Sequence, residues 1–197
     1  MTGLSLVELL LVLGITSILI LVIGGAYSTH LKIVSNQNAA IDVAAQNQLG
    51  LDVIANDIRD SAGVSDSCCS PAETTSDQKL VVKIWPISIT TSEPIQPAST
   101  DETQFDHIVY ERDAVKNNLM RKIIPCTASA VPPCTSKRTA STKIIASHTS
   151  NLSFTYDPDT PSFSAATQVA ITLTTNRKDL GKDFTNSQTT KVFIRNK

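Results

Sequence analysis

Proline and charge are missing from the start of this 197-residue chain. The first proline is Pro71, and the only charged side chain before Lys32 is Glu8. Without proline a segment can form an uninterrupted helix, and the apolar run of some 24 residues from Leu4 to Tyr27 is long enough to cross a bilayer. The sequence therefore predicts an N-terminal membrane helix with one carboxylate inside it.

Other absences restrict the class of protein. A net charge of -1 gives no overall attraction to nucleic acid or anionic lipid, and we expect the dispersed basic pairs 121–122, 137–138 and 177–178 to be solvated. The chain has no phosphate-binding glycine loop, metal-binding helix motif or nucleophile elbow. We therefore expect no cofactor, no metal and no enzymatic activity. A membrane-anchored periplasmic enzyme is the alternative from another class, and it would need a convergent polar site.

Glu8 is the first candidate functional residue. A carboxylate in the hydrocarbon core of a bilayer costs roughly 2.5 to 3.5 kcal/mol, so such a residue usually has a partner or a function. The simpler alternative is a signal anchor that tolerates one glutamate. A cleaved secretory signal would instead need a basic start and a shorter apolar core.

The residues around Glu8 resemble the class III signal of type IV pilins and type II secretion pseudopilins. Gly3 precedes the apolar run, and the acid is the fifth residue counting from Leu4. In that family a prepilin peptidase cleaves after the glycine, the new N-terminus is methylated, and the glutamate guides assembly. The resemblance thus implies cleavage between Gly3 and Leu4, N-methylation of Leu4, and an assembly role for Glu8.

Two positions differ from the family pattern. Leu4 stands where the family usually has phenylalanine, and the leader, residues 1–3, has no lysine or arginine. Either translation starts upstream or the leader is unusually short. The ammonium group of Leu4 and the Glu8 carboxylate would neutralise each other between neighbouring subunits, and removing one partner of a buried ion pair costs about 3 to 5 kcal/mol.

Helical periodicity continues beyond the membrane segment. We predict one helix from Leu4 to Ala62, with Gly63 as its C-cap, divided into a membrane or filament-core half (4–30) and an amphipathic half (31–63). The expected sheet-facing stripe consists of Ile41, Ala44, Leu51, Ile54 or Ala55, Ile58 and Ala62.

Three glycines interrupt the apolar half of this helix. Gly14, Gly24 and Gly25 each cost it up to roughly 1 kcal/mol relative to alanine. Pilins often loosen their helix in this part inside a filament. The resemblance therefore implies helix flexibility here, which we expect at Gly24 and Gly25.

From Lys79 onward the apolar periodicity falls to near two, which is typical of strands. The fold class predicted is α+β and pilin-like: the long helix packs on an antiparallel β-sheet within a globular domain of residues 64–197. Residues 107–112 and 119–124 should form a hairpin around Asn117 and Asn118. The expected strands are 79–85, 107–112, 119–124, 143–146, 152–156, 168–174 and 191–195.

All four cysteines lie beyond the membrane segment, where disulfides are the default in an oxidising compartment. The candidates Cys68, Cys69, Cys126 and Cys134 allow three connectivities. A vicinal bridge would distort the peptide, so we slightly favour a crossed pairing between the 68/69 and 126/134 segments. Zinc is the alternative, although the spacing does not match common zinc motifs.

Later segments narrow the resemblance. Residues 54–63, the 108–112 and 118–121 hairpin and the closing 192–196 are similar to PilW-type minor pilins, and the J-type minor pseudopilin is a close alternative. The resemblance implies a low-copy subunit in priming or at the tip of a type IV pilus, or else a minor pseudopilin of a type II secretion system. A tip adhesin or DNA-uptake subunit would use the Ser/Thr-rich loops 70–78, 86–104 and 125–142.

The implied partners follow from the same resemblance. They are other pilin subunits, the prepilin peptidase, the inner-membrane assembly platform and the lipid bilayer before assembly, with nucleic acid only in the DNA-uptake alternative. The implied location is the bacterial inner membrane as a single-pass precursor, followed by an extracellular pilus or a periplasmic pseudopilus.

Overall fold

The structure is a computed structural model that describes residues 6–69, 71–97, 101–126, 134–158 and 162–195. The predicted cleavage and methylation positions, Gly3 and Leu4, lie outside these residues. The described elements are α1 (Leu6–Arg59), β1 (Gly63–Val64), β2 (Ser67–Cys68), β3 (Glu73–Thr74), β4 (Lys79–Ile84), β5 (Asp106–Asp113), β6 (Asn118–Ile124), β7 (Ser141–Ala146), β8 (Thr149–Asp157), β9 (Gln168–Asp179) and β10 (Lys182–Phe193), with short 3-10 helices at Glu102–Gln104 and Phe163–Ala165.

The predicted long helix is present, but its C-terminal end was wrong. α1 has 54 residues, which at 1.5 Å per residue is about 80 Å. It ends at Arg59 instead of Ala62, because the backbone N–H of Ala62 bonds the carbonyl of Lys83 at 2.8 Å. Gly63 is therefore the first residue of β1, where it pairs with Lys83, and it is not a helix cap.

An antiparallel arrangement was predicted and is confirmed, but the strands form several sheets where one was expected. A five-stranded sheet has the order β1-β4-β5-β6-β7, a three-stranded sheet has the order β10-β9-β8, and β2 pairs with β3. α1 packs mainly on β9 and β10 and also contacts β7. The helix therefore lies across the three-stranded sheet and reaches the edge of the larger one.

The predicted strands are confirmed, with one large error in length. The β5–β6 hairpin turns at Asn117, whose φ is 52°. β9 and β10 are 12 residues each, much longer than the predicted 168–174 and 191–195. The residues by which β9 and β10 exceed the predicted strands are rich in Thr, Asn and Lys and show little apolar alternation. The hairpin between the two strands turns at Leu180 and Gly181, both of which have positive φ.

One hydrophobic core joins the helix to both larger sheets. Its buried members include Ile54 and Ile58 of α1, Tyr110 of β5, and Phe154 and Leu173 of the three-stranded sheet. Each of these side chains is 2 % exposed or less. The C-terminal half of α1 is thus held by the globular part of the protein.

The sheet-facing side of α1 differs from the predicted stripe. Leu51, Ile54, Ala55 and Ile58 are buried as expected, but Ile41 is 66 % exposed. The buried side begins with Ala39, Val43, Asn47 and Gly50, spaced by three or four residues. Steps of this size stay on one helix face, whereas Ile41 lies two residues from either neighbour and points away. Ala62, the last predicted member, lies beyond the helix end.

Candidate functional site: the exposed half of the N-terminal helix

The N-terminal half of α1 extends away from the globular part. Every residue from Leu6 to Val34 is exposed, and the apolar side chains among them are large: Leu6 is 75 % exposed and Leu21 is 76 % exposed. This is a helix long and apolar enough to cross a membrane, by length and composition. Such a surface in water would be a strong association site, so it is suited to lipid or to other protein helices.

Polar side chains in this half bond to their own helix. Thr16 Oγ1 donates to the carbonyl of Val12 at 2.7 Å, and Thr29 Oγ1 donates to the carbonyl of Gly25 at 3.0 Å. Ser17 bonds the carbonyls of Leu13 and Gly14 in the same way. An apolar medium offers no water to replace such partners. These hydroxyls can therefore enter lipid or a helix bundle at a lower cost than unpaired hydroxyls would.

Glu8 lies in the first turn of α1, as the one charged side chain of the exposed half that precedes Lys32. A carboxylate there interacts favourably with the positive end of the helix dipole. The neighbouring helix positions carry leucine and valine. Glu8 is therefore a single negative charge on an apolar rod, and its proposed amine partner, Leu4, lies outside the described residues.

The three glycines of the exposed half have open space at their side-chain positions, as far as the described residues extend. A Cβ added at Gly14, Gly24 or Gly25 would meet nothing within 4 Å. α1 is continuous through all three positions. The predicted loosening at Gly24 and Gly25 concerns the assembled filament and stays a prediction, while the open surface at each glycine allows a second helix to approach closely.

A buried polar cluster fixes the middle of α1 to the three-stranded sheet. Asn47 Nδ2 donates to the carbonyls of Leu173 at 2.7 Å and Asn186 at 3.1 Å. In return, Thr175 Oγ1 donates to the carbonyl of Val43 at 2.8 Å. Asn47 and Thr175 are both completely buried. Sequence periodicity missed this contact because a polar residue does not count toward an apolar stripe.

The tip of the β9–β10 hairpin contacts α1 where the helix emerges. Ser35 Oγ donates to Asp179 Oδ2 at 2.7 Å, and Arg177 Nη1 pairs with Asp42 Oδ2 at the same distance. Ser35 is the first half-buried residue after the exposed half. The hairpin thus marks the boundary between the exposed and packed parts of the helix.

The C-terminal end of α1 is fixed by an ionic cluster on the five-stranded sheet. Asp57 Oδ2 accepts from Arg121 Nε at 2.6 Å and from the hydroxyl of Tyr110. Burial, followed by the nearby Asp57 charge, raises the pKa of Tyr110 well above its usual range. The phenol therefore stays a donor at any ordinary pH.

Several of the basic residues expected to be solvated form ion pairs instead. Arg121 pairs with Asp57, Lys122 with Glu73 at 2.6 Å, and Arg138 with the buried carboxylate of Asp106 at 2.8 Å. The expectation was wrong because the acidic partners lie on α1, β3 and β5 and are distant in sequence. Paired cations contribute less to a nucleic-acid surface than free ones do.

The cysteines form local bridges, so the slight preference for crossed pairing was wrong. Cys68 bonds Cys69, and Cys126 bonds Cys134. Cys126 N–H donates to Asp106 Oδ1 at 2.8 Å, and Cys134 Sγ lies 3.5 Å from the carbonyl of Gln104. Cys126 is thus fixed to the first residue of β5, and Cys134 lies against the 3-10 helix that precedes this strand. Cys68 is held separately by β2, packed against Val81 and Val109.

No protein-family model matches the chain, and neither the curated proteins nor the solved structures include a significant match.

Proposed function

We propose that this protein is a minor subunit of a type IV pilus, held in the bacterial inner membrane and then assembled through the exposed half of α1. The observation that carries the proposal is the division of one helix into two parts. Residues 6–34 are exposed, apolar and carry a single acid, whereas the part beyond Ser35 packs on the sheets. Such a subunit can exchange lipid for neighbouring helices without unfolding its globular part.

Glu8 and the amine of Leu4 carry the assembly chemistry in this proposal. Cleavage after Gly3 creates an ammonium group close to the apolar surface, and the Glu8 carboxylate of a neighbouring subunit neutralises it. Because each charge is costly in lipid or in a helix bundle, only the matched pair is tolerated. The geometry of the exposed half supports this role, since Glu8 lies at its free end.

The test is intact-mass and N-terminal peptide analysis of protein purified from its native membrane, together with recovery in sheared filaments. We expect a mature chain that begins at methylated Leu4, with wild type in filaments and Glu8→Ala depleted. Asp52→Ala is the matched control, because Asp52 is an exposed acid on the packed half of the same helix. An unprocessed N-terminus without filament association would leave an ordinary anchored periplasmic domain.

A minor pseudopilin of a type II secretion system is the second candidate, because the same helix would serve both filaments. Deleting the gene separates the two: loss of surface filaments favours the pilus, and loss of secreted enzymes with intact pili favours the pseudopilus. For a DNA-uptake role, replacement of Lys137 and Lys178 should reduce uptake, because these changes leave the ion pairs of Arg138 and Arg177 intact. Unchanged uptake would count against that role.

A further inference from the structure

Two cysteines and a histidine meet on the side of the five-stranded sheet that faces away from the main core. Cys68 is the last residue of β2, Cys69 follows it, and His107 lies on β5. One sulfur from each cysteine and a ring nitrogen of His107 all lie within 4.8 Å of one another. The two cysteines are distant from His107 in sequence, so motif spacing does not reveal this cluster.

The surroundings of the cluster match those of a ligand site. Cys69 and His107 line a cavity of about 300 Å³ together with Phe105. His107 Nε2 lies 3.4 Å from Glu102 Oε2, and the imidazole is only 5 % exposed. A carboxylate beside a ligating histidine fixes its orientation and tautomer, which is the usual supporting arrangement of a metal site. The cavity supplies a path of entry.

We propose that Cys68, Cys69 and His107 bind one thiophilic d10 cation, Zn²⁺ or Cu⁺, when the Cys68–Cys69 disulfide is reduced. Thiolate sulfur selects these ions, and imidazole suits them as a third ligand. Three protein ligands leave a coordination position open toward the cavity, the arrangement of reactive rather than purely structural zinc sites. The disulfide closes the site, because a bridged sulfur carries no thiolate charge.

A dithiol of the compartment opens the site. One of its thiolates attacks Cys69 Sγ, which faces the cavity, and the Cys68–Cys69 bond breaks with Cys68 leaving as a thiolate. The second thiol of the reductant then attacks the mixed disulfide, so Cys69 leaves and the reductant becomes an intramolecular disulfide. Two electrons and two protons pass to the cysteine pair, and metal binding releases the two thiol protons.

The test uses the full chain in detergent micelles, with Cys126→Ala and Cys134→Ala in place so that a single disulfide can be reduced. After reduction with dithiothreitol and its anaerobic removal, Co²⁺ is titrated as a spectroscopic substitute for Zn²⁺. We expect one ion per chain with thiolate-to-cobalt charge-transfer absorption, displacement by Zn²⁺, and protection of both thiols from alkylation. Competition with a chromophoric Cu⁺ chelator measures the copper affinity separately.

The variants assign the ligands. Cys69→Ser and His107→Ala should each weaken Co²⁺ binding by more than the roughly 10- to 100-fold loss typical of a supporting residue, and Glu102→Gln should fall within that range. His148→Ala is the matched control, since His148 is a partly exposed histidine with a carboxylate neighbour, Asp42, at 3.9 Å. The His148→Ala variant should bind Co²⁺ with the same affinity as the parent protein.

Loss of folding in the buried His107 variant is detected by circular dichroism, and the half-buried Cys69 variant keeps the assignment testable in that case. Equal metal affinity in oxidised and reduced protein would overturn the proposal. So would a reduced protein that shows no charge-transfer band and holds no Cu⁺ against the chelator, or retention of full affinity in a folded Cys69→Ser variant.

Discussion

Gly50 of α1 lies directly against Leu173 of β9, so that a Cβ built on Gly50 would come within 2.7 Å of Leu173 Cδ2. Leu119 Cδ2 and Ala146 Cβ would lie at 3.1 and 3.3 Å. Side chains of both larger sheets thus meet the helix at this position. A residue that is unfavourable within a helix is therefore what allows the closest approach of the helix to the sheets.

Gly50→Ala should lower the free energy of unfolding, because the usual cost of forcing extra volume into a packed core, about 1 to 3 kcal/mol, exceeds the roughly 1 kcal/mol that alanine gains over glycine within a helix. The measurement is urea unfolding of the full chain in micelles, followed by the fluorescence of Trp85. Gly25→Ala is the control, because its added methyl group would meet nothing. An unchanged midpoint for Gly50→Ala would mean that the helix can shift away from the sheet without cost.

Asn47→Ala should destabilise the fold by about 1 to 3 kcal/mol, since it leaves the buried carbonyl of Leu173 and the half-buried carbonyl of Asn186 without their side-chain donor. Gln48→Ala, at an exposed neighbouring position, should change stability little. Chemical unfolding compares the two variants. Similar midpoints would show that the polar contact contributes nothing beyond the surrounding packing.

Asp57→Asn should destabilise more than Tyr110→Phe. The first leaves the Arg121 cation without its carboxylate, at roughly 2 to 3 kcal/mol because the pair is about one-fifth exposed. The second removes the hydrogen bond that Tyr110 donates to Asp57 and a long one, at 3.3 Å, that it accepts from Arg121 Nε, together at about 1 kcal/mol. Thermal unfolding of both variants gives the order, and the double variant measures their coupling. The reverse order would contradict the assignment of Asp57 as the centre of the cluster.

Stability should fall in mild acid through Glu73. Burial opposes its charge, but hydrogen bonds from Lys122 at 2.6 Å and Lys79 at 2.9 Å outweigh burial and hold the pKa of Glu73 below its ordinary 4.5. A folded-state pKa that is lowered contributes stability above the unfolded value, and this contribution is lost as the pH falls through and below about 4.5.

Glu73→Gln should therefore remove part of the acid dependence and cost roughly 1 kcal/mol at neutral pH, because both lysines remain partly exposed. Unfolding midpoints measured between neutral pH and pH 3 test this. Glu93→Gln, at an exposed position, is the control. If the unfolding midpoints of wild type and Glu73→Gln fall equally with pH, Glu73 does not contribute to the loss of stability in acid.

Sequence periodicity predicted the elements well where a residue's neighbours along the chain decide its structure. The long helix required only an absence of proline and a run of apolar residues, and the β5–β6 hairpin required alternation around Asn117. The helix end could not be predicted, because Ala62 leaves the helix to bond Lys83, which is 21 positions away. The length of β9 and β10 was hidden for a similar reason, since polar strands have no apolar alternation.

The candidate functional residues also differ in whether the sequence alone identifies them. Glu8 stands out in the sequence because it is the only acid in an apolar run, whereas the roles of Asn47 and His107 depend on residues that other elements of the fold bring next to them. The disulfide between Cys68 and Cys69 also could not be predicted from hydrophobic periodicity. It depends on Cys68 packing on Val81 and Val109 while Cys126 is fixed to Asp106.

The contact between Ser35 and Asp179 has a geometric consequence for any membrane-bound form of the protein. The 29 exposed residues that precede it span about 43 Å as a helix, whereas the hydrocarbon core of a bilayer is about 30 Å thick. Some 13 Å of rigid rod, more than two helical turns, therefore remains outside the lipid tails. With its headgroups the bilayer is about 40 to 45 Å thick, so a helix that crosses it upright places Ser35 and the tip of the β9–β10 hairpin at the headgroup surface.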